Sequence, residues 1–197
     1  MNLSSPAGGR LQRLAAAFAL LCGLSGPAQD FRLLPNRVMI PERGEVAGYM
    51  ILTASNKFSF LPPHGWKVSG SPADNKVILM TRDLVASVTL TVRAERADKP
   101  EPASSEQFRQ RLEERYPEAR IVRELTCYTG GNKGVGFDLE HTAKDRPSMS
   151  TRLVFVPYEG GLVEFNLTTP TRAFPSFHPA FGNLLTSFQV EPSARKK

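Results

Sequence analysis

The stretch MSTRLVFVPYEGGLVEFNLT, residues 149–168, contains two strand-like runs separated by Glu-Gly-Gly. In the second run, the residues from Val163 to Thr168 alternate between apolar and polar side chains. This alternation predicts a strand that is buried on one face. The glycines between the two runs predict a tight turn, so residues 149–157 are expected to pair with residues 161–168 in a hairpin.

Similar patterns precede this hairpin and predict further antiparallel strands. Residues 119–128 and 133–143 flank Gly-Gly-Asn at 130–132, which predicts a second hairpin. Residues 84–94 alternate apolar and polar side chains, which is typical of a half-buried strand. The remaining predicted strands are residues 49–53, 57–61 and 76–82.

Two segments have the spacing of amphipathic helices. Phe108, Leu112 and Tyr116 recur every four residues after Ser104 and Ser105, either of which can cap the helix. The second helix carries an apolar stripe near the end of the chain, formed by Phe177, Phe181, Leu184, Leu185 and Phe188. The element order predicts an α+β fold, in which two helices pack on an antiparallel sheet of about six to seven strands.

The first 28 residues have the pattern of a secretory signal peptide. Arg10 and Arg13 precede the apolar run 14–24, and Gly26-Pro27-Ala28 supplies small residues for cleavage before Gln29. The apolar run is shorter than the roughly 20 residues that span a bilayer. Leu21, directly before Cys22, is larger than the residue that a lipid-anchoring site prefers. We therefore expect an extracytoplasmic (periplasmic or secreted) protein without a lipid anchor at Cys22.

Removal of 28 of the 197 residues leaves 169, the length of one domain. We predict an irregular polar lead-in over residues 29–45, a single domain over 46–190 and a basic disordered tail over 191–197. Cys127 is the single cysteine outside the leader, so the fold is expected to rest on packing without an internal disulfide.

The charge pattern does not favour nucleic acid. The whole chain has a net charge of +6, and loss of the two leader arginines reduces it to about +4. Charges of both signs alternate over residues 106–115, which is typical of a solvated helix face. After the leader, charged residues or glycine interrupt every apolar stretch, so no transmembrane span is predicted.

The string Phe58-Ser-Phe-Leu-Pro-Pro-His-Gly-Trp66 resembles the strand and the proline, glycine and tryptophan turn of the PsbP-like fold family, which includes PsbP and DcrB-type extracytoplasmic domains. The order of the helices and hairpins is similar as well, over roughly residues 46–190. The resemblance implies a PsbP-like α/β/α sandwich. It also implies a docking or assembly factor without catalysis or cofactor, because members of this fold are mostly of that kind.

The same string supplies the candidate binding residues, namely Phe60, Pro62, Pro63 and Trp66. Aromatic side chains are favoured in the centre of protein interfaces, so an exposed patch here would dock on an envelope protein. The alternative is that Trp66 caps the sheet core. The function predicted from the sequence is an exported, non-catalytic binding or assembly module with an envelope protein as its partner.

Two other functions remain open. A small hydrolase would use Asp138, Glu140 and His141, or Cys127 with His141 across the hairpin, and these groups would have to converge in one pocket. A carrier of a small apolar ligand would hold it between helix and sheet. Its cleft would be lined by the phenylalanines of the last helix, which are Phe177, Phe181 and Phe188.

The three histidines do not predict a metal site. His64, His141 and His178 lack the close spacing of zinc ligands. His64 is expected to be exposed in its turn, and His178 to cap the last helix. Nucleophile elbows, phosphate-binding loops and dinucleotide fingerprints are absent from the sequence.

Overall fold

The structure is a computed structural model that describes residues 31–40, 44–95, 102, 104–141 and 147–192. The predicted leader with Cys22, and residues 193–197 of the predicted tail, lie outside these ranges. The described strands are β1 (Arg32–Ile40), β2 (Gly44–Leu52), β3 (Asn56–Phe60), β4 (Lys67–Ser71), β5 (Lys76–Met80), β6 (Ser87–Ala94), β7 (Ala119–Thr129), β8 (Asn132–His141), β9 (Met149–Tyr158), β10 (Gly161–Pro170) and β11 (Gln189–Pro192). The described α-helices are α1 (Ser105–Arg115) and α2 (Phe174–Ser187).

Seven strands form a large antiparallel sheet in the order β4-β5-β6-β10-β9-β8-β7. Both predicted hairpins are present, as β7 with β8 and β9 with β10. Helix α1 packs on one face of this sheet and α2 on the other. The predicted α+β class, with two helices on an antiparallel sheet, is confirmed.

The turn between β7 and β8 depends on its two glycines. Gly130 and Gly131 have φ of +57° and +80°, the left-handed region that both central residues of a type I′ turn require. Type I′ turns match the twist of the strands that they join, and glycine enters this region without a steric cost. The glycine pair therefore sets the register in which Thr129 faces Asn132.

A second sheet of four strands, in the order β1-β2-β3-β11, is the main difference from the predicted fold. The expectation of an irregular lead-in over residues 29–45 is wrong for residues 32–40, which pair with β2 along their whole length. Pro35 is tolerated in β1 because β1 is an edge strand, where a missing amide costs little. Strand β11 extends to Pro192, two residues beyond the predicted end of the domain.

Two apolar clusters lie on opposite faces of the large sheet. The larger cluster fills the space between this sheet, the small sheet and α2, and it contains Phe58, Phe60, Phe165, Phe181 and Phe188. The smaller cluster lies beneath α1, where Phe108 and Leu112 contact β8, β9 and β10. Helix α1 therefore packs on the part of this face that β8, β9 and β10 form.

Helix α1 begins as its sequence indicates, whereas α2 begins at Phe174, before the expected cap His178. The Ser104 side chain accepts a hydrogen bond from the Gln107 amide and caps α1, and Phe108 and Leu112 are buried. Pro175 lies in the first turn of α2, whereas Pro179 lies inside the helix. Neither helix in the described part of the chain is long and apolar enough to cross a lipid bilayer.

Candidate functional site

The four residues predicted to bind a partner do not all reach the surface. Phe60 has no exposed surface and stacks on Tyr49, with ring centroids 5.9 Å apart. As the last residue of β3, it points into the larger apolar cluster. Phe60 is therefore a core residue and cannot contact a partner. Pro62, Pro63 and Trp66 are half-buried, so part of each remains accessible.

The turn that carries these three residues is fastened to α2. The Leu61 amide donates a hydrogen bond of 3.0 Å to Ser187 Oγ near the end of the helix. The edge of Trp66 packs against Phe177 near the start of the helix, with ring centroids 5.9 Å apart. Trp66 packs against the larger cluster as a cap, which was the alternative to an exposed patch. His64 in the same turn is exposed, as expected.

A second apolar feature lies at the same end of the large sheet. Lys67 at the start of β4 pairs with Met80 at the end of β5. Trp66, directly before Lys67, and the loop 81–86, directly after Met80, therefore lie at the same end of these two strands. In this loop Leu84 is 70% exposed and Val85 is 38% exposed. Leu84 also has a φ of +61°, which is unfavourable for a branched apolar residue.

Several hydrogen bonds hold the loop in this conformation. The Ala86 amide donates to Thr81 Oγ1 over 3.1 Å, and the Val85 amide donates to Asp83 Oδ1 over 3.2 Å. Hydrogen bonds from the Thr81 side chain and then from the Val85 amide lower the pKa of Asp83. The predicted strand from residue 84 is thus wrong at its start, since β6 begins at Ser87. An Asp side chain that accepts a hydrogen bond from the amide two residues later is a turn signal. The alternation of apolar and polar residues over 84–94 obscured this signal.

We call Pro62, Pro63, Trp66, Leu84 and Val85 the proline–tryptophan surface. Lys67 and Arg82 flank it and are exposed. The carboxylate of Asp83, by contrast, accepts hydrogen bonds from its own loop. Asp83 is exposed and ionised, so the surface combines exposed apolar side chains with two positive charges and one negative charge at its margin.

The residues of the hydrolase hypothesis do not converge. Asp138 is 5% exposed and accepts two hydrogen bonds from Arg152, of 2.6 and 2.8 Å, on the α2 side of the sheet. Glu140 pairs with Arg120. His141 belongs to the opposite face of β8, where its ring contacts Tyr116 of the α1 side. These groups face two sides of one sheet, so they form no shared pocket.

Cys127 and His141 are also far apart. Cys127 pairs with Gly134 near the turn of the hairpin, whereas His141 is the last residue of β8. The seven residue steps along β8 from Gly134 to His141 correspond to about 24 Å. Burial raises the pKa of the Cys127 thiol, which keeps it protonated at neutral pH and a poor nucleophile. A cysteine–histidine pair is therefore wrong for this chain.

His178 lies within α2 and does not cap it. Its ring contacts Phe174 one turn earlier, with centroids 4.6 Å apart. Burial, and then the positive charge of Arg152, lower the pKa of His178. Across the residues that the structure describes, no three His, Cys, Asp or Glu side chains come together as metal ligands would.

The phenylalanines that were expected to line a ligand cleft belong to the core or its edge. Phe181 and Phe188 are buried in the larger cluster, and Phe177 packs against its edge. A cleft of about 660 Å³ lies beside α1, between this helix and strands β6, β9 and β10. We call it the α1 cleft. Its lining includes Thr91, Arg93 and Glu164 from the sheet, and Phe108, Arg111 and Arg115 from the helix.

A buried carboxylate lies at the floor of the α1 cleft. The side chain of Glu164 is 3% exposed, and both its oxygens accept hydrogen bonds from Arg115 Nη1, of 2.8 and 3.0 Å. Arg93 donates a further hydrogen bond to Oε2 of the same carboxylate. The sequence pattern did not identify Glu164 as a candidate functional residue. The available signal was a carboxylate on the polar side of an otherwise buried strand.

Comparison with solved structures shows the same fold in other proteins. Cyanobacterial PsbP (CyanoP) from Synechocystis sp. PCC 6803 is similar with a TM-score of 0.51 and 16% identity, over 86% of this chain and 97% of that one. LpqN of Mycobacterium tuberculosis, involved in cell envelope biogenesis, is similar with a TM-score of 0.51 and 12% identity, over 82% of this chain and 92% of that one. The chain thus has a PsbP-like fold.

A third structure, the protein of unknown function PA94 from Pseudomonas aeruginosa, aligns with a TM-score of 0.40, which is too low to support a statement about this chain. No protein-family model matches the sequence, and no curated protein matches it. The resemblance predicted from the sequence is confirmed at the level of the fold.

Proposed function

We propose that this PsbP-like chain is a non-catalytic docking module of the cell envelope that binds a protein partner through the proline–tryptophan surface. The observation that carries the proposal is the loop 81–86. It presents Leu84 to solvent at a backbone conformation that costs a leucine roughly 1–2 kcal/mol. Backbone strain that the surrounding hydrogen bonds hold in place is concentrated at functional sites.

The neighbouring turn supports the same proposal. Pro62, Pro63 and Trp66 are held on α2 by the bond from Leu61 to Ser187 and by the contact between Trp66 and Phe177. A turn that is already rigid loses little conformational entropy when it binds. Partly exposed tryptophan is also enriched among the residues that dominate interface energies.

The charges at the margin indicate the chemistry of the partner. Lys67 and Arg82 are exposed beside the apolar side chains. A complementary surface would present an apolar segment next to Asp or Glu side chains, because opposite potentials steer association and fix its register. The secretory pattern of residues 1–28 and the similar fold of LpqN support an envelope location.

Site-specific photo-cross-linking tests this proposal. A photoreactive phenylalanine analogue is introduced at Leu84 of the tagged full chain, and separately at Tyr128, which is 71% exposed at the other end of the sheet. After irradiation in the native cells, we expect one protein adduct from position 84 and none from position 128. The same adducts from both positions, or none from position 84, would contradict the proposal.

The variant Leu84→Asn separates docking from stability. Asn removes the apolar side chain but tolerates the left-handed backbone better than leucine does. We therefore expect the Leu84→Asn chain to lose partner capture while its free energy of unfolding stays equal or rises by up to about 1 kcal/mol. Urea denaturation and capture are measured together, with Tyr128→Thr as the control that should keep the partner. Retained capture by Leu84→Asn would mean that the loop is not part of the interface.

A further inference from the structure

The α1 cleft is separate from the proline–tryptophan surface. Lys76 and Thr91 are paired at the end of β5 that is nearer to the cleft, whereas Met80 and Ser87 are paired at the other end. The six residue steps along β6 from Ser87 to Arg93 correspond to about 20 Å. A ligand in the cleft would therefore not compete directly with a partner on that surface.

The pairing of the strands divides the cleft floor into an apolar and a polar side. Glu164 lies between Phe155 of β9 and Thr91 of β6, and Leu162 pairs with Arg93 in the next row. Phe108 of α1 stacks on Phe155, with ring centroids 4.5 Å apart. Apolar side chains thus lie under the helix on the β9 side, and the polar groups lie toward β6.

The charge at the floor is positive. Arg93 and Arg115 converge on the single carboxylate of Glu164. The acidic lining residues Asp74 and Glu114 are exposed and belong to its outer rim. A buried carboxylate needs a paired charge, and one guanidinium is enough to supply it. The second guanidinium therefore leaves an excess positive charge at the floor.

Glu164 fixes the two guanidinium groups in place. The side chains of Arg93 and Arg115 are 38% and 43% exposed, so each is held at the floor while part of it faces solvent. Guanidinium groups held in this way are suited to carboxylate and phosphate oxygens. The volume of about 660 Å³ lies within the range of small-molecule sites.

We propose that the α1 cleft binds an amphipathic small molecule with one carboxylate or phosphate group, which contacts Arg93 and Arg115, and an apolar body, which contacts Phe108, Phe155 and Leu162. Glu164 acts as a positioning residue for the two arginines. The proposal is independent of the partner assigned to the proline–tryptophan surface.

Calorimetric titration of the full chain with decanoate, decyl phosphate, decanol and inorganic phosphate tests the ligand class. We expect saturable binding of decanoate or decyl phosphate, and binding at least tenfold weaker for decanol and for inorganic phosphate. Preference between the two decyl anions identifies the head group. Equal affinity for decanol would overturn the role of the arginines, and equal affinity for inorganic phosphate would overturn the apolar part.

Two variants test the residues. Arg115→Gln should weaken binding of the preferred decyl anion about tenfold, whereas Arg120→Gln, which removes an exposed arginine paired with Glu140, should leave it unchanged. Gln at position 164 keeps one oxygen that can accept hydrogen bonds from the two arginines, so it still positions them, but it removes the negative charge that they now share. Glu164→Gln should therefore bind the anion more tightly. Weaker or unchanged binding by Glu164→Gln would contradict an anion site.

Arg115→Gln leaves Glu164 with one partner fewer and could fail to fold. The double variant Arg115→Gln/Glu164→Gln removes both charges and avoids this problem. We expect it to bind the decyl anion about tenfold more weakly than Glu164→Gln does. Equal affinities of these two variants would show that Arg115 does not contact the ligand. Leu84→Asn should bind like the unmodified chain, so failure of the docking proposal does not affect this test.

Discussion

At the scale of single residues, the contrast between Asp138 and Glu140 is the most informative. The two carboxylates are alike in the sequence, two positions apart on one side of a strand. In the structure Asp138 forms a buried bidentate pair with Arg152, whereas the pair of Glu140 with Arg120 is exposed. Local alternation predicts which side of the strand a residue faces, but it does not predict what covers that side. Here α2 covers Asp138, and Arg152 also stacks on Phe174.

This contrast predicts different costs for the same substitution. Arg152→Met should lower the free energy of unfolding by about 3–5 kcal/mol, since it leaves the carboxylate of Asp138 buried without its partner. Arg120→Met should change it by less than about 1 kcal/mol, because its side chain is 78% exposed.

Urea denaturation of both variants measures these costs. The double variant Asp138→Leu/Arg152→Met should be more stable than Arg152→Met, because it leaves no unpaired charge. Equal losses for Arg152→Met and Arg120→Met would show that the Asp138 pair is solvated.

At the scale of elements, the strands that sequence analysis missed share one property. β1 and β11 are the edges of the small sheet, and β4 is an edge of the large one. An edge strand packs less apolar surface and carries polar residues, proline or glycine that discourage further pairing. Pro35 in β1, Gly70 in β4 and Pro192 in β11 fit this description. The hydrophobic pattern is therefore weakest where the strand is least buried.

Substitution by alanine should have opposite effects on stability at two glycines, one in β8 and one in α2. A Cβ on Gly134 would lie 2.6 Å from the Phe155 carbonyl oxygen and 2.9 Å from Cys127 Sγ. Gly134→Ala should therefore lower the free energy of unfolding by about 1–3 kcal/mol.

Gly182 in α2 is the matched control, because a Cβ there meets nothing within 4 Å. Gly182→Ala should raise the free energy of unfolding by about 0.5–1 kcal/mol through helix propensity. Thermal unfolding of the two variants measures both changes in stability. A stable Gly134→Ala chain would mean that β7, β8 and β9 separate readily at this point.

At the scale of the whole molecule, the two faces of the large sheet each bury one histidine in part. His141 contacts Tyr116 on the α1 side, and His178 contacts Phe174 on the α2 side. Burial lowers the pKa of both below the value of about 6.5 in the unfolded chain. The unfolded state therefore binds more protons than the folded state as the pH falls below that value.

The expected result is a stability that is complete above pH 7 and decreases between pH 7 and pH 5. The double variant His141→Gln/His178→Gln should show a smaller decrease over this interval. His64→Gln, which replaces an exposed histidine in the turn, should show the same decrease as the unmodified chain. Urea midpoints at several pH values provide the measurement, and an unchanged slope in the double variant would contradict this explanation.

Local patterns along the chain were enough to predict the α+β class, both helices, the two glycine hairpins and the resemblance to the PsbP-like fold. These features depend on periodicity and turn residues within a few positions of each other. The two surfaces described above depend on residues that are distant in sequence, such as Arg93 and Glu164, which are 71 positions apart. They meet because β6 lies next to β10 in the sheet. No local period encodes that order of strands, so the tertiary structure was needed to locate the α1 cleft and to place the loop of Leu84 at the same end of the sheet as Trp66.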